Sequence, residues 1–450
     1  MDSSKETYER REKILERHRQ ILSENAQNAS ELHEKFLQFR QEGLGLTAKL
    51  IQEQAKAAGG AGVSQGSIAG EQAPVLYTHA QLEEFAKGDA VKCLGPAYEV
   101  YRGRRISRIP NGDLLLMSRV LRVNGERFQM KPGTEILVEY DVSQKPWFLQ
   151  DNSYPYAPYS ILMEIALQPC GFLSAHLGAP LMFPDQDYYF RNLDGEARLI
   201  KNVDLRGKTV TTRAVLQKTM VSGKQIIQGF SFQLSAGGEA FFEGNSVFGF
   251  FPPEAMANQL GRDGGQETLP LYEHPGQGDV TGVAIDLASS SLTIAKNGKP
   301  FYRLPDGHFN LLKEVVVSPS GGKNRHGYIY ANKPVDGRDW FYTCHFFQDP
   351  VMPGSLGVEA ILEAMQVFAL QMDLGKSFQS PRFDLVPGNK MSWKYRGQIL
   401  QTHKKMKLEI HLASLERTGE QVLLTGDASL WADKIRIYEV KDAAIRLVEG

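Results

Sequence analysis

Residues 340–373, WFYTCHFFQDPVMPGSLGVEAILEAMQVFALQMD, decide how the rest of the chain is read. The run opens on aromatic residues with strand composition and reaches a lone histidine, His345. It then crosses Pro353-Gly354 and continues as a long apolar helix. A helix that starts at Gly354 aims its unpaired N–H groups back at the histidine loop. A base facing such a donor suits removal of a proton beside a carbonyl. The plainer reading is a buried helix with a packed histidine.

The same plan occurs upstream. Residues 147–178, WFLQDNSYPYAPYSILMEIALQPCGFLSAHLG, again give aromatic residues of strand type, a loop, and an apolar helix that stops at Gly178. HFNLLKEVVV (308–317) answers DLLLMSRVLRV (113–123), and WKYRGQIL (393–400) answers VDLRGKTV (203–210), at offsets of 190 to 195 residues. Strand alternation is clearest at Phe230, Phe232 and Leu234 and again at Met406, Leu408, Ile410 and Leu412. The chain therefore reads as α+β, two copies of one unit, each a long helix wrapped by an antiparallel sheet. The units span 75–253 and 286–450, joined by a Gly/Pro-rich connection at 254–285. The two sheets are expected to pair edge to edge, which covers otherwise open strand edges. Ahead of them, 1–57 reads as a helix with a weak heptad seam (Leu15, Leu22, Ala29, Phe36), and 58–74 as a flexible linker.

A hydrophobic share of 42%, a charged share of 23% and a net charge of −1 describe a globular protein. Nothing marks a nucleic-acid binder or a polybasic membrane surface. No uninterrupted apolar run approaches the ~20 residues of a bilayer span. The opening residues are charged rather than apolar, so a cytoplasmic location is expected. Cys93, Cys170 and Cys344 fit neither a disulfide framework nor a zinc site. Cys344 adjoins His345, but neighbours in a strand face opposite ways, which argues against a thiol–imidazole pair. His176, near the end of the first helix, suits a charge partner for the helix dipole. No metal-ligand spacing or nucleotide-binding glycine motif occurs.

CHFFQDPVMPGSLGVEA (344–360) resembles the histidine loop and helix of the β-hydroxydecanoyl-ACP dehydratase/isomerase family, which has the hotdog fold. The tandem, with PYSILMEIALQPCG (158–171) in the first copy, is similar to the double-hotdog dehydratase regions of polyunsaturated fatty acid synthases and iterative polyketide synthases. The resemblance implies a site shared between two units: a histidine from one loop, and an acid with a helper amide from the facing helix. On this chain these are His345, Glu164 and Gln168, with the Gly354 N–H as oxyanion donor. Aligning the helices sets Glu359 over Glu164 and Glu363 over Gln168. The histidine position of the first copy then falls near Gln150 to Asn152, so a second, vestigial site is expected near Glu359.

The implied reaction is dehydration of a 3-hydroxyacyl thioester, brought on the phosphopantetheine arm of an acyl carrier protein, to a 2-enoyl thioester. No metal or redox cofactor is implied. Other synthase domains are the implied partners, and isomerase activity and homo-oligomerisation are left open. Glu replaces the Asp, and Ser355 the Cys, of the stand-alone enzymes. The alternatives are a catalytically silent acyl-binding or scaffolding module and a hotdog thioesterase.

Overall fold

The computed structural model describes residues 75–257, 259–274, 280–292 and 300–450. The helix and linker expected over 1–74 lie outside them. The first unit contributes β1 (Arg119–Asn124), β2 (Glu135–Asp141), β3 (Tyr189–Leu199), β4 (Thr209–Ser222), β5 (Gln225–Ala236) and β6 (Glu239–Phe251). The second contributes β7 (Val283–Asp286), β8 (Glu314–Ser318), β9 (Tyr328–Pro334), β10 (Pro381–Asp384), β11 (Lys390–Tyr395), β12 (Lys405–Arg417), β13 (Gln421–Ala432) and β14 (Ile435–Glu449).

Hydrogen bonds join these strands in the order β1-β2-β4-β5-β6-β3-β11-β14-β13-β12-β9-β8-β7, with β10 added on β14. The order β1-β2-β4-β5-β6-β3 returns reversed as β11-β14-β13-β12-β9-β8, the signature of a pseudo-twofold. Its centre is the antiparallel pair β3–β11, in register from Lys390 opposite Arg198 to Lys394 opposite Asp194. The fold is a double hotdog.

Each sheet wraps an 18-residue helix, Tyr159–His176 or Gly354–Gln371, and the starts of the two helices are 195 residues apart. Both are apolar on every side, the pattern of a helix buried all round. The segment Tyr159–Met182 has the length and hydropathy of a membrane span, yet 89% of its most apolar 18-residue window is buried inside the protein. Pro169 lies within the first helix and cannot donate to the carbonyl of Ile165. The Thr212 hydroxyl of β4 takes that carbonyl instead, at 3.3 Å.

Four sequence expectations are corrected. The aromatic runs are short helices, Trp147–Gln150 and Phe341–Cys344, not strands. Tertiary packing overrides their strand composition, since Trp147 stacks on Phe309 and meets Trp340 edge-on at 5.3 Å. VDLRGKTV and WKYRGQIL are not equivalent: Arg206-Gly207 leads directly into β4, whereas Arg396-Gly397 leaves β11. The connection ends earlier than residue 285, because β7 pairs with β8 from Val283. His176 is buried against the Tyr77 hydroxyl at 2.8 Å. Burial pushes its pKa down to about 4, so it is neutral at pH 7 and carries no charge to the helix end.

Candidate active site

The histidine loop hangs between the two units. The short helix Phe341–Cys344 ends at His345, and the loop returns through a Val351 N–H bonded to the His345 carbonyl at 2.7 Å. The first unit grips it twice. Asn111 donates both its backbone N–H and its side-chain amide to the Cys344 carbonyl, each at 2.9 Å. Arg191 on β3 makes a two-pronged, largely buried pair with Asp349 at 2.6 and 2.9 Å. This fork geometry fixes the loop's orientation as well as its position. Cys344 lies outside the cleft that His345 lines. The thiol–imidazole pair is absent, although the strand premise that argued against it does not hold.

The Nδ1 atom of His345 sits 3.1 Å from the Val351 carbonyl. A carbonyl only accepts, so Nδ1 carries the proton and Nε2 keeps its lone pair. Burial, assisted by the Arg191 charge, pulls the imidazole pKa down to about 3. At neutral pH this is an uncharged base.

Glu164 faces the same cleft from the first helix. Its Oε1 accepts from the Ser355 hydroxyl of the other helix at 2.6 Å, and its Oε2 from the Gln168 amide at 3.1 Å. Burial raises its pKa despite these two donors, which favours the protonated acid. Gln168 also donates to the Leu114 carbonyl and accepts from the Leu116 N–H, at 2.7 and 3.0 Å. Both amide hydrogens are therefore committed. As a donor, Gln168 is therefore turned toward the Glu164 carboxyl.

Gly354 opens the second helix, and no acceptor among the described residues takes its N–H. A Cβ at this position would stand 2.6 Å from Cε2 of Tyr395, so only glycine admits this approach. His345, Glu164, Gln168, Gly354 and Ser355 line one cleft, with apolar walls from Met163, Leu167 and Phe190 among others. A few converging polar groups in a largely apolar cleft are the usual form of a small-molecule site.

The pseudo-twofold counterpart is filled. Asn152 donates to the Tyr156 carbonyl at 2.7 Å, the contact that mirrors His345 on Val351. An amide cannot take up a proton at neutral pH, so Asn152 supplies no base at the position that mirrors His345. Tyr159 occupies the position of Gly354 and fills it with a ring whose hydroxyl donates to the Ala197 carbonyl. A small pocket beside Tyr156 is lined by none of Asn152, Glu359 and Glu363.

Glu359 accepts from the Ser160 N–H, and burial raises its pKa from 4.5 to about 7. A raised carboxyl holds a proton that the unfolded chain releases. Its contribution is thus fully present below the unfolded value and is lost as pH rises through the folded one. Between pH 4.5 and 7 this amounts to about 3 kcal/mol. Urea unfolding at pH 5 and pH 8 should therefore show a larger loss for the wild type than for Glu359→Gln, by about that amount.

Sequence reasoning missed Asn111, Arg191 and Tyr395, and noted Ser355 only as a replacement. A charged residue inside the inward-facing strand YFRN was a signal for Arg191. The others come from elements far apart in sequence and gave none.

Residues 304–441, the histidine-bearing half, match the family of FabA-like domains. One subunit of a polyunsaturated fatty acid synthase from Thraustochytrium sp. (strain ATCC 26185 / S-3) is 36% identical over 386 residues. That match covers 82% of this chain, and the chain spans 26% of that protein. Among solved structures, the dehydratase domain from the CurJ module of curacin polyketide synthase aligns with a TM-score of 0.39 at 11% identity, covering 75% of this chain and 98% of that one. An acyl-ACP thioesterase from Bacteroides thetaiotaomicron VPI-5482 gives 0.34 at 10% identity, covering 70% and 97%. The chain carries a FabA-like hotdog domain and is homologous to a segment of a polyunsaturated fatty acid synthase.

Proposed function

We propose that the chain dehydrates a 3-hydroxyacyl thioester on an acyl carrier protein to the 2-enoyl thioester, as one station of a lipid or polyketide synthase. The observation that carries this reading is a neutral base, His345, and a protonation-prone acid, Glu164, lining one cleft from two different hotdog units.

The His345 Nε2 lone pair takes the C2 proton. The electron pair moves into the thioester carbonyl, and the Gly354 N–H at the positive end of its helix stabilises the oxygen. Collapse of the enolate expels the C3 hydroxyl, which takes the Glu164 proton and leaves as water. Ser355 and Gln168 hold the carboxyl in position through both of its oxygens. Elimination by proton transfer alone calls for no metal or redox cofactor. The relative's description as part of a synthase supports other synthase domains as partners.

Incubation of the intact chain with a short 3-hydroxyacyl pantetheine thioester, followed by mass spectrometry, tests the reading. Loss of one water with the thioester intact is expected. Release of free thiol would identify a thioesterase instead, and an unchanged substrate a silent acyl-binding or scaffolding module.

A further inference from the structure

Tyr395 closes β11 at the centre of the molecule, and its side chain lines the same cleft as His345 and Glu164. Its hydroxyl is buried and has no hydrogen-bond partner among the described residues. The ring is held on one side by Tyr438, centroid to centroid 4.3 Å. On the other side, its edge lies against Gly354, where the Cβ position is 2.6 Å from Cε2 and 3.0 Å from Cζ. The hydroxyl is one bond beyond Cζ, on the ring that packs against the helix start, whose first N–H has no acceptor among the described residues. Glu164 is already engaged through both oxygens, by Ser355 and Gln168.

We propose that the Tyr395 hydroxyl is a second oxyanion donor, bonding the thioester carbonyl oxygen together with the Gly354 N–H. This rests on the dehydratase reading and deepens it. A buried hydroxyl without a partner destabilises the fold that contains it, whereas one aimed at developing charge is worth most where water is excluded. Burial keeps the phenol protonated far above neutral pH, so it remains a donor throughout. Two donors from different elements, one backbone and one side chain, would bracket the oxygen and fix the plane of the enolate.

Tyr395→Phe keeps the ring contacts with Gly354 and Tyr438 and removes only the hydroxyl. We expect kcat for dehydration to fall about 100-fold with KM unchanged, since the bond strengthens only as charge develops. The melting temperature should stay level or rise. A saturated acyl thioester, which can enolise but has no hydroxyl to lose, separates the roles. Its C2–H exchange in D2O should slow in Tyr395→Phe as much as dehydration does. Exchange at the wild-type rate, whether or not dehydration is slowed, would overturn the oxyanion assignment and leave the dehydratase reading standing. A wild type that neither dehydrates nor exchanges would remove the reading and the donor together.

Discussion

Replacing His345 with alanine is expected to lower dehydration by about 10²–10⁴-fold, the range that a positioned general base contributes. Glu164→Gln should fall in the same range, because the amide keeps the shape of the side chain but has no acidic proton for the departing hydroxyl. The double variant should be little worse than either single one, since base and acid serve one elimination and their losses do not add. Thermal melting of each variant separates lost chemistry from lost fold, as truncating a buried polar side chain can do both.

The pH profile adds a second readout. The competent form has neutral His345 and protonated Glu164. His345 stays neutral down to about pH 3, so no acid limb is expected near the ordinary histidine value. Glu164 is shifted upward by burial, so turnover should decline on the alkaline side as that carboxyl ionises, above the usual carboxylate range. A folded Glu359→Gln variant that is dead beside an active Glu164→Gln would place the reaction in the other half.

The asymmetry behind this prediction was partly legible in the sequence. Helix alignment alone set acids in both copies and a histidine in only one, because apolar helices of equal length leave little freedom of register. The fold was legible for the same reason, since an all-round apolar helix beside alternating strands has few ways to bury itself. Other features were not legible. Asn152 could not be singled out from Gln150 and Asp151, because a loop two residues shorter has no periodic pattern to fix its alignment. The contact with the Tyr156 carbonyl identifies it. Ser355 on Glu164 and Arg191 on Asp349 join residues 191 and 158 positions apart, pairings that only the β3–β11 junction and the facing helices bring together.

Gly354→Ala should lower kcat by about 10²–10³-fold while leaving the protein folded, the loss seen when an oxyanion donor is removed or misaimed. The added methyl would meet Cε2 of Tyr395 at 2.6 Å and Cζ at 3.0 Å, closer than carbon atoms pack. The ring cannot retreat, because it is 6% exposed and rests on Tyr438 at 4.3 Å. The helix start must give way instead, and with it the aim of the N–H. Backbone strain plays no part, since residue 354 has helical backbone that any residue can adopt. Tyr159 shows this directly: it opens the first helix at the equivalent position, with its side chain bonded to the Ala197 carbonyl. A side chain is thus compatible with the backbone at the first residue of such a helix, and at residue 354 it is the Tyr395 ring that excludes one. Steady-state kinetics beside a melting curve decide the matter. A folded Gly354→Ala protein that dehydrates at the wild-type rate would mean that the thioester oxygen sits elsewhere in the cleft.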